Sequence, residues 1–402
     1  MDESLIYDTA IAVRPEYEAD ILRHTKTWAE IDLGALRRNY RRINAHIKEK
    51  SPLCEAMCIL KADAYGHGAV MCARALYDEG VRFFGVSCIT EAIQLRSALG
   101  QKNDAKILIL GYTLPGDVDL LCKYGIRQTV FSREYADSIL YELSRLRVMG
   151  KLPFDAKLQI HIKINTGMNR LGFCKDDIDG VLSVCKEEDF IAEGIFTHFA
   201  CADDDSSDMT DEQYRFFGDV LSAIEARGVH FECRHVCNSS ALLLPIDDRF
   251  EAVRCGMLLY GCLDKSMPLD TEPVMKFKTT VSHVFDIRAG ESISYGASFV
   301  ARRDMRIATL PVGYADGLIR SMSGAHVLIG KDEAPIVGRI CMDQCMVDIS
   351  ECNGNIVPGD EAVIFGDMPL RIDSLSKIAG TIPYEILCLV GKRVTRVYRD
   401  EK

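Results

Sequence analysis

The sequence predicts an α/β fold: a (β/α)8 TIM-like barrel followed by a mostly β C-terminal domain. Two observations lead to this prediction. Eight short apolar runs alternate with helix-like stretches in the first two-thirds of the chain, and strands separated by Gly, Pro or Asp turns fill the last third. Strands that alternate with helices are typical of a parallel sheet. The 402 residues, 48% of them hydrophobic, are enough for two domains with a sizeable core.

The eight apolar runs are the candidate barrel strands. They end near Lys61, Ser87, Tyr112, Ser132, Asn165, His198, Asn238 and Gly256. Helical patterns lie between several of them, for example over Glu91 to Leu99 and Tyr135 to Val148. Eight such units over roughly 230 residues agree with the usual length of a (β/α)8 barrel, ~250 residues. A doubly wound open sheet remains the alternative, because the pattern alone does not separate the two.

The change from alternating strands and helices to short strands with few helices divides the chain. We expect an N-terminal extension over residues 1–26, a barrel over 27–264 and a C-terminal β domain over 265–402. The segment near Trp28 (TWAEIDL) predicts an early strand that could pack with the second domain, and one helix is expected near Ser374 to Ile378. The predicted strands of the second domain are VSHVFDI, MRIATLPV, HVLIG, APIVGRI, CMVDIS and EAVIFG.

Composition excludes several classes of protein. The net charge of −11 and the lack of a basic tract argue against binding to nucleic acid or an anionic membrane. The acidic N-terminus does not resemble a signal peptide, and no apolar run reaches the ~18 residues of a membrane helix. The 16 cysteines include no CxxC pair and are expected to be buried small hydrophobes. These features predict a cytoplasmic enzyme.

The most informative segment is KADAYGHG, which follows the first barrel strand. Barrel enzymes carry their active-site residues at the C-terminal ends of the strands, and Lys61 stands at such an end. Tyr65 lies four residues further on, and Gly66 and Gly68 predict a turn that opens a helix. Glycines allow the backbone to approach a ligand closely, and a helix N-terminus favours a phosphate.

This segment resembles the cofactor-lysine motif of the alanine racemase family, which are fold type III enzymes dependent on pyridoxal 5'-phosphate (PLP). The resemblance continues, in the family's order, through NTGMNRLGF, THFACAD, HVCNSS, VRCGMLLYG, SYGASF, PVGYADG, GRICMDQ and TIPYE. It covers about Trp28 to Tyr398, nearly the whole chain. The resemblance implies a PLP-dependent amino-acid racemase, a homodimer with active sites shared between its subunits.

The resemblance also implies a catalytic pair. Lys61 would carry PLP and act as the base on one face of the substrate α-carbon, with Tyr295 of the partner subunit on the opposite face. Racemisation needs two such groups, because one removes the proton and the other returns it from the far side. A tyrosine, with a reference pKa near ~10, needs a nearby cation to act as a base. Arg170 is implied as that cation and as a contact of the substrate carboxylate.

The remaining implied roles belong to PLP, to the substrate and to support of the site. The implied PLP contacts are Lys61, Tyr65, His198, Asn238, Ser239, Arg254, Gly256, Met257 and Tyr384. In the family the arginine at the position of Arg254 binds the pyridine nitrogen, which makes the ring a weaker electron sink. Met342 is implied as a second substrate contact. The implied supporting residues are Lys163, His235, Tyr314, Cys341 and Asp343.

Three polar residues alternate in the segment HIKIN. A strand would point His161, Lys163 and Asn165 to the same side. Lys163 matches a lysine that is often carbamylated in the family, and Asn165 departs from the Asp that is commoner there. No metal site is expected, because the acidic run Asp203 to Asp205 is typical of a solvated loop.

The expected reaction is the interconversion of L-alanine and D-alanine. The alternatives are a serine or broad-specificity amino-acid racemase and, more distantly, a non-catalytic PLP-binding protein. Tyr384 favours alanine, since serine-preferring relatives tend to carry a smaller polar residue there. The β domain with Tyr295 and Met342 argues against the non-catalytic proteins, which resemble the barrel alone. PLP-dependent decarboxylases share the architecture but lack KADAYGHG and SYGASF.

Overall fold

The computed structural model describes residues 25–100, 103–174, 176–204, 206–243, 250–262, 269–366 and 368–400. Nearly all of the N-terminal extension expected from the sequence, residues 1–24, lies outside the described residues.

The first part of the chain alternates strands and helices. Its strands are β1 (Thr27–Asp32), β2 (Glu55–Ile59), β3 (Phe83–Val86), β4 (Lys106–Ile109), β5 (Arg127–Val130), β6 (Leu158–Lys163), β7 (Phe190–Phe196), β8 (Cys233–His235) and β9 (Ala252–Cys255). Its helices are α1 (Leu33–Lys50), α2 (Lys61–Gly66), α3 (Ala69–Asp78), α4 (Ile89–Leu99), α5 (Val118–Tyr124), α6 (Arg133–Val148), α7 (Ile178–Cys185) and α8 (Met209–Glu225).

Strands β2 to β9 form one parallel sheet that closes into a barrel. Their spatial order is β8-β7-β6-β5-β4-β3-β2-β9. Backbone hydrogen bonds join the two ends of the sheet, from Glu251 N–H to Arg234 O (3.0 Å) and from Arg254 N–H to Cys237 O (3.0 Å). The predicted barrel is therefore confirmed over the open doubly wound sheet, and the eight predicted runs correspond to β2 to β9.

The barrel strands read as apolar runs because both of their faces are covered. Ile107, Leu108 and Ile109 of β4, for example, are all fully buried. Parallel strands are covered by helices on one side and by the barrel interior on the other, so consecutive residues are apolar. The helices begin where local chemistry allows: the Asp32 carboxylate caps α1 by accepting from Ala35 N–H (2.8 Å).

The second part of the chain is mostly β. Its strands are β10 (Met275–Thr280), β11 (His283–Ile287), β12 (Ser292–Ile293), β13 (Phe299–Val300), β14 (Met305–Leu310), β15 (His326–Ile329), β16 (Asp332–Val337), β17 (Cys345–Asp348), β18 (Glu361–Phe365) and β19 (Thr395–Arg399). Its helices are α9 (Ile372–Ala379) and α10 (Pro383–Leu389).

A nine-stranded sheet organises this second part, in the order β11-β14-β17-β16-β15-β18-β10-β1-β19. Strand β1 pairs antiparallel with β10 and parallel with β19, so the chain begins in this sheet before it enters the barrel. The six predicted strands became β11 and β14 to β18, and the predicted helix near Ser374 is α9. Strands β10 and β19 and helix α10 were not predicted.

Two other expectations concern the burial of the cysteines and the lack of a membrane helix. All 16 cysteines lie within the described residues and are unpaired. Eight are buried, six are partly exposed, and Cys174 and Cys388 are exposed, so the expected burial holds for half of them. No helix in the described part of the chain is both long and apolar enough to cross a membrane.

Candidate active site at the barrel mouth

The segment after β2 winds the opposite way to an ordinary helix. Ala62, Asp63, Ala64 and Tyr65 all have φ between 52° and 54°. For residues with a side chain this conformation costs about 1–2 kcal/mol each, so the surroundings must hold it. The Asp63 carboxylate accepts from Ala69 N–H (2.7 Å), and His67 Nδ1 binds the Ala64 carbonyl (2.8 Å). The predicted turn and helix start are therefore present, with a left-handed winding that the sequence did not indicate.

Lys61 stands at the head of this turn with a half-buried amine. No acceptor among the described residues binds its Nζ, which lies 5.9 Å from the centre of the Tyr65 ring. Burial lowers the pKa of Lys61, and the positive charge of Arg170 lowers it further. A lysine with a lowered pKa is more often neutral, so it is a better base and nucleophile.

Arg254 is the centre of a buried hydrogen-bond network. Its side chain is 4% exposed. Its two terminal nitrogens donate to the carbonyls of Thr197 (2.8 Å), His235 (3.0 Å) and Val236 (2.6 Å) and to the Nδ1 atoms of His235 (2.8 Å) and His198 (3.2 Å). Burial lowers the pKa of Arg254 to about 10, so the side chain stays protonated at neutral pH. Its Nε has no partner in the described part of the chain.

Two neutral histidines surround this arginine. Burial, together with the charge of Arg254, lowers the pKa of His198 to about 2 and that of His235 well below its usual value. The other nitrogen of His235 lies 3.0 Å from Nδ1 of His161. Because Nδ1 of each histidine accepts a hydrogen bond from Arg254, both rings are neutral, and they hold the guanidinium in place.

Short polar groups converge beside the Lys61 turn. The Gly256 amide donates to Ser239 Oγ (3.0 Å), and a Cβ on Gly256 would lie 2.9 Å from the Tyr65 hydroxyl. The Tyr65 and Tyr384 rings are 6.4 Å apart, and within the described ranges neither hydroxyl has a hydrogen-bond partner. An amide, three hydroxyls and nearby cations suit a phosphate group.

Asn238 and Met257 lie next to these groups in the chain. The Asn238 side chain accepts from Ala241 N–H (2.9 Å) and so fixes the loop that carries Ser239. Met257 begins the short 3-10 turn Met257–Tyr260 directly after Gly256. Both residues are direct chain neighbours of a residue in the polar cluster, Ser239 and Gly256 respectively.

The end of β6 and the loop after it carry Lys163 and Arg170. Lys163 is buried, donates to the Ile164 carbonyl (2.9 Å), and has its pKa lowered to about 6 by burial and by Arg254. Asn165 lies past the strand end rather than along it, and its Oδ1 accepts from the amides of Gly167 (3.2 Å) and Asn169 (3.0 Å). It thereby shapes the loop that presents Arg170, an exposed guanidinium with no described ion pair.

The other implied site residues form a separate group on the surface of the second domain. Tyr295 is 70% exposed and Met342 52%. The Tyr314 amide donates to the Cys341 carbonyl (3.1 Å), and Asp343 is ion-paired with Arg393 (2.6 Å). No contact among the described residues of this chain joins this group to Lys61 or Arg170.

Several residues near the site carried no recognised signal in the sequence. The Thr197 hydroxyl accepts from the Lys163 amine, and the Thr197 carbonyl accepts from Arg254. The Tyr260 hydroxyl donates to the Ile59 carbonyl (3.0 Å) at the base of the Lys61 turn. Glu91 binds the amide of Ala62 (2.7 Å). Thr197 directly precedes His198, and Glu91 opens a predicted helix directly after a strand. Position at a strand end could therefore have drawn attention to both.

The barrel-mouth group fits PLP. The Gly256 amide and the hydroxyls of Ser239, Tyr65 and Tyr384 would hold its phosphate. The unpartnered Nε of Arg254 would donate to its ring nitrogen, and the unpartnered amine of Lys61 would receive its aldehyde carbon. A polar group that loses water on ligand binding needs a new partner, and PLP carries one for the Lys61 amine and one for Arg254 Nε.

Comparison with known proteins agrees with this geometry. Residues 31–264 match the family model "Alanine racemase, N-terminal domain", and residues 274–398 match "Alanine racemase, C-terminal domain". The chain is 39% identical to an alanine racemase of Clostridium novyi over 92% of its own length and 95% of that protein. It is 40% identical to alanine racemase 1 of Clostridium acetobutylicum, covering 94% and 97% of the two chains.

Solved structures give the same result. The alanine racemase of Clostridium difficile superposes with a TM-score of 0.87 at 36% identity, over 94% of this chain and 97% of that one. Sequence, fold and the arrangement of residues at the barrel mouth therefore agree: this chain belongs to the alanine racemase family and is an amino-acid racemase.

Proposed function

We propose that this racemase interconverts L-alanine and D-alanine, with PLP bound to Lys61 and with active sites shared between two subunits. The observation that carries the proposal is the Lys61 amine: it is half-buried at a strand end, its pKa is lowered, and none of the described residues binds it. The relatives with 39% and 40% identity are themselves named alanine racemases, which supports alanine as the substrate.

The cofactor contacts follow from the chemistry of the free groups. PLP, when bound, supplies an electron sink for the charge that develops on the substrate α-carbon. Gly256, Ser239, Tyr65 and Tyr384 would bind the phosphate, and Arg254 would donate from Nε to the ring nitrogen. Because Arg254 keeps its proton at neutral pH, it would hold that nitrogen as an acceptor, which would weaken the electron sink and discourage transamination.

Two bases act on opposite faces of the substrate. Lys61 removes or returns the α-proton on one face, and Tyr295 of the partner subunit does so on the other. The exposure of Tyr295 and the separation of its group from the barrel mouth support a role across a subunit interface. Arg170 binds the substrate carboxylate, because its guanidinium is exposed and has no described ion pair.

Lys163 supports Arg170 in this scheme. With a pKa of about 6, its amine is largely neutral at physiological pH, which is the form that reacts with carbon dioxide. A carbamate on Lys163 would place a negative charge beside Arg170 and orient it.

The test is a racemisation assay on purified protein with L-alanine, L-serine and L-lysine, for the wild type, Lys61→Ala and a control, Lys151→Ala, at an exposed lysine. We expect a yellow wild type that racemises alanine fastest, a colourless and inactive Lys61→Ala variant, and an unaffected control. Full activity in Lys61→Ala would overturn the proposal, and a preference for serine would assign the chain to the broader racemases.

A further inference from the structure

Glu91 joins helix α4 to the turn that carries Lys61. Its Oε1 accepts from Ala62 N–H (2.7 Å), and its Oε2 accepts from the amide (2.8 Å) and hydroxyl (2.9 Å) of Ser87. One carboxylate thus connects the ends of β2 and β3 at the barrel mouth. Ala62 N–H belongs to the peptide that directly follows Lys61.

This peptide is where the left-handed turn begins. The far end of the turn is held by other groups: Asp63 binds Ala69 N–H (2.7 Å), and Arg396 of β19 donates to the Gly66 carbonyl (3.0 Å). At the Lys61 end, Glu91 is the side chain that accepts from the described backbone. Left-handed residues are intrinsically unfavourable, so the turn depends on contacts of this kind. The Glu91 hydrogen bond therefore helps to fix the backbone from which the Lys61 side chain extends.

A helix cap would explain only part of this arrangement. Glu91 lies in the first turn of α4, where a glutamate commonly reaches back to the amides before its helix, as Oε2 does to Ser87. Oε1 instead binds a residue 29 positions earlier, in the turn that follows strand β2. The second contact has no capping function.

The charges around Lys61 give Glu91 a second effect. Arg170 and Arg254 lower the pKa of the Lys61 amine, after burial, while the Cys388 thiol and the Glu91 carboxylate raise it. Of these four groups, Glu91 is the one that carries a carboxylate, and its negative charge favours the protonated form of the Lys61 amine.

We propose that Glu91 is a positioning residue for Lys61: its carboxylate fixes the Lys61–Ala62 peptide and brings a negative charge to the Lys61 end of the turn. The proposal rests on the proposed function, in which Lys61 carries PLP. It assigns two properties to one side chain, its reach and its charge, and one conservative substitution removes the charge while another shortens the reach.

The experiment compares Glu91→Gln and Glu91→Asp with wild type in the full-length holoenzyme. Gln keeps an acceptor oxygen for Ala62 N–H but removes the charge and the acceptor for the Ser87 amide, whereas Asp keeps the charge but is too short to connect both segments. Glu134→Gln is the matched control, because Glu134 is also in the first turn of a barrel helix but is fully exposed. The readouts are the dissociation constant of PLP, from visible absorbance at graded PLP concentrations, and its dependence on pH.

We expect Glu91→Asp to weaken PLP binding about tenfold, the size expected for a lost hydrogen bond to a charged group, with an unchanged pH midpoint. We expect Glu91→Gln to move the pH midpoint of PLP binding downward, because loss of the negative charge lowers the pKa of Lys61. A purely capping role would lower the melting temperature of both variants without changing the midpoint.

Wild-type affinity and midpoint in both variants would overturn the proposal, and so would a Glu91→Gln midpoint equal to that of wild type. A wild type that binds no PLP, or a Lys61→Ala variant with the same colour, would instead overturn the proposed function and not the role of Glu91. Melting temperatures of all variants show whether each one is folded.

Discussion

Three polar groups mark the candidate site at the barrel mouth. Lys61 Nζ, the Tyr65 hydroxyl and Arg254 Nε each lack a hydrogen bond to the described residues. An unpaired donor that is removed from water costs about 1–3 kcal/mol, so a ligand bound at these residues would have to supply partners for all three.

Substrate choice is tested at Tyr384, whose ring lies next to the Tyr65 ring. Tyr384→Asn should raise kcat/KM for serine relative to alanine, because it opens space and adds a hydrogen-bonding group. The change should be modest, since discrimination of this kind amounts to about 1–3 kcal/mol. Overall activity should fall as a phosphate contact is lost.

The measurement is kcat/KM for both amino acids in wild type, Tyr384→Asn and Tyr141→Asn, an exposed tyrosine on α6. An unchanged serine-to-alanine ratio in Tyr384→Asn would show that this residue does not set specificity. A changed ratio in Tyr141→Asn would point to a general effect of the substitution.

Among the elements, the left-handed turn α2 depends on close packing against helix α10. Gly66 has φ +79°, and a Cβ there would lie 2.6 Å from the Leu387 carbonyl. Gly66→Ala should therefore lower the free energy of unfolding by more than backbone strain alone would, because the new Cβ also meets the Leu387 carbonyl. It should also weaken PLP binding, because α2 carries Lys61 and Tyr65. Gly380→Ala is the control, with a similar φ of +72° and no atom within 4 Å.

Chemical denaturation and PLP titration distinguish the two variants. Strain alone should cost Gly380→Ala about 1 kcal/mol and leave PLP affinity unchanged. Equal losses of unfolding free energy in the two variants would mean that packing of the turn against α10 contributes little to stability.

The barrel could be predicted because its strands are buried on both faces and so appear as apolar runs. Strand β10 was missed because Lys276 and Lys278 alternate with its apolar residues and resemble a polar segment. The structure shows why Lys278 is tolerated there: it is buried and ion-paired with Glu30 (3.3 Å) and Glu361 (3.0 Å). Such pairs connect distant parts of the chain and leave no local signal.

The site was predictable only to the extent that motifs mark it. The strand-end position of Lys61 and the glycines after it could be interpreted directly. The left-handed winding of Ala62 to Tyr65 could not, since none of these residues favours it locally and the contacts that hold it come from Glu91, His67 and Arg396. The positions of Tyr295 and Met342 on the second domain also followed from the sequence, whereas their distance from Lys61 did not.

For the whole molecule, the buried histidines predict sensitivity to mild acid. Burial lowers the pKa of His67 to about 4 and that of His161 to about 3, from 6.5 in the unfolded chain. Below pH 6.5 the unfolded state therefore binds more protons than the folded state, so the free energy of unfolding falls as pH decreases. Carboxylates contribute mainly below about pH 4.5, which leaves pH 6.5 to 4.5 as the window for histidine.

Thermal unfolding across this window, at constant PLP, measures the effect. Each buried histidine should contribute up to about 1.4 kcal/mol per pH unit, and His161→Gln should flatten the dependence. A flat profile in wild type, or an identical slope in His161→Gln, would contradict this account of the buried histidines.

The molecule as a whole presents two groups of site residues that one chain does not bring together. Lys61 and Arg170 belong to the barrel mouth, while Tyr295 and Met342 lie exposed on the second domain. A homodimer that places the second group over the partner's barrel would complete both sites. This is the central claim of the account, because it unites the exposed tyrosine with the need for a second base.

Mixing two inactive variants tests the claim most directly. Lys61→Ala and Tyr295→Phe proteins are combined under conditions in which subunits exchange, heterodimer formation is measured, and racemisation of L-alanine is assayed. If the site is shared, each heterodimer contains one intact site and one site with both lesions, so activity should return to about half that of wild type per heterodimer. Heterodimers that form but remain as inactive as the parent variants would contradict the shared site.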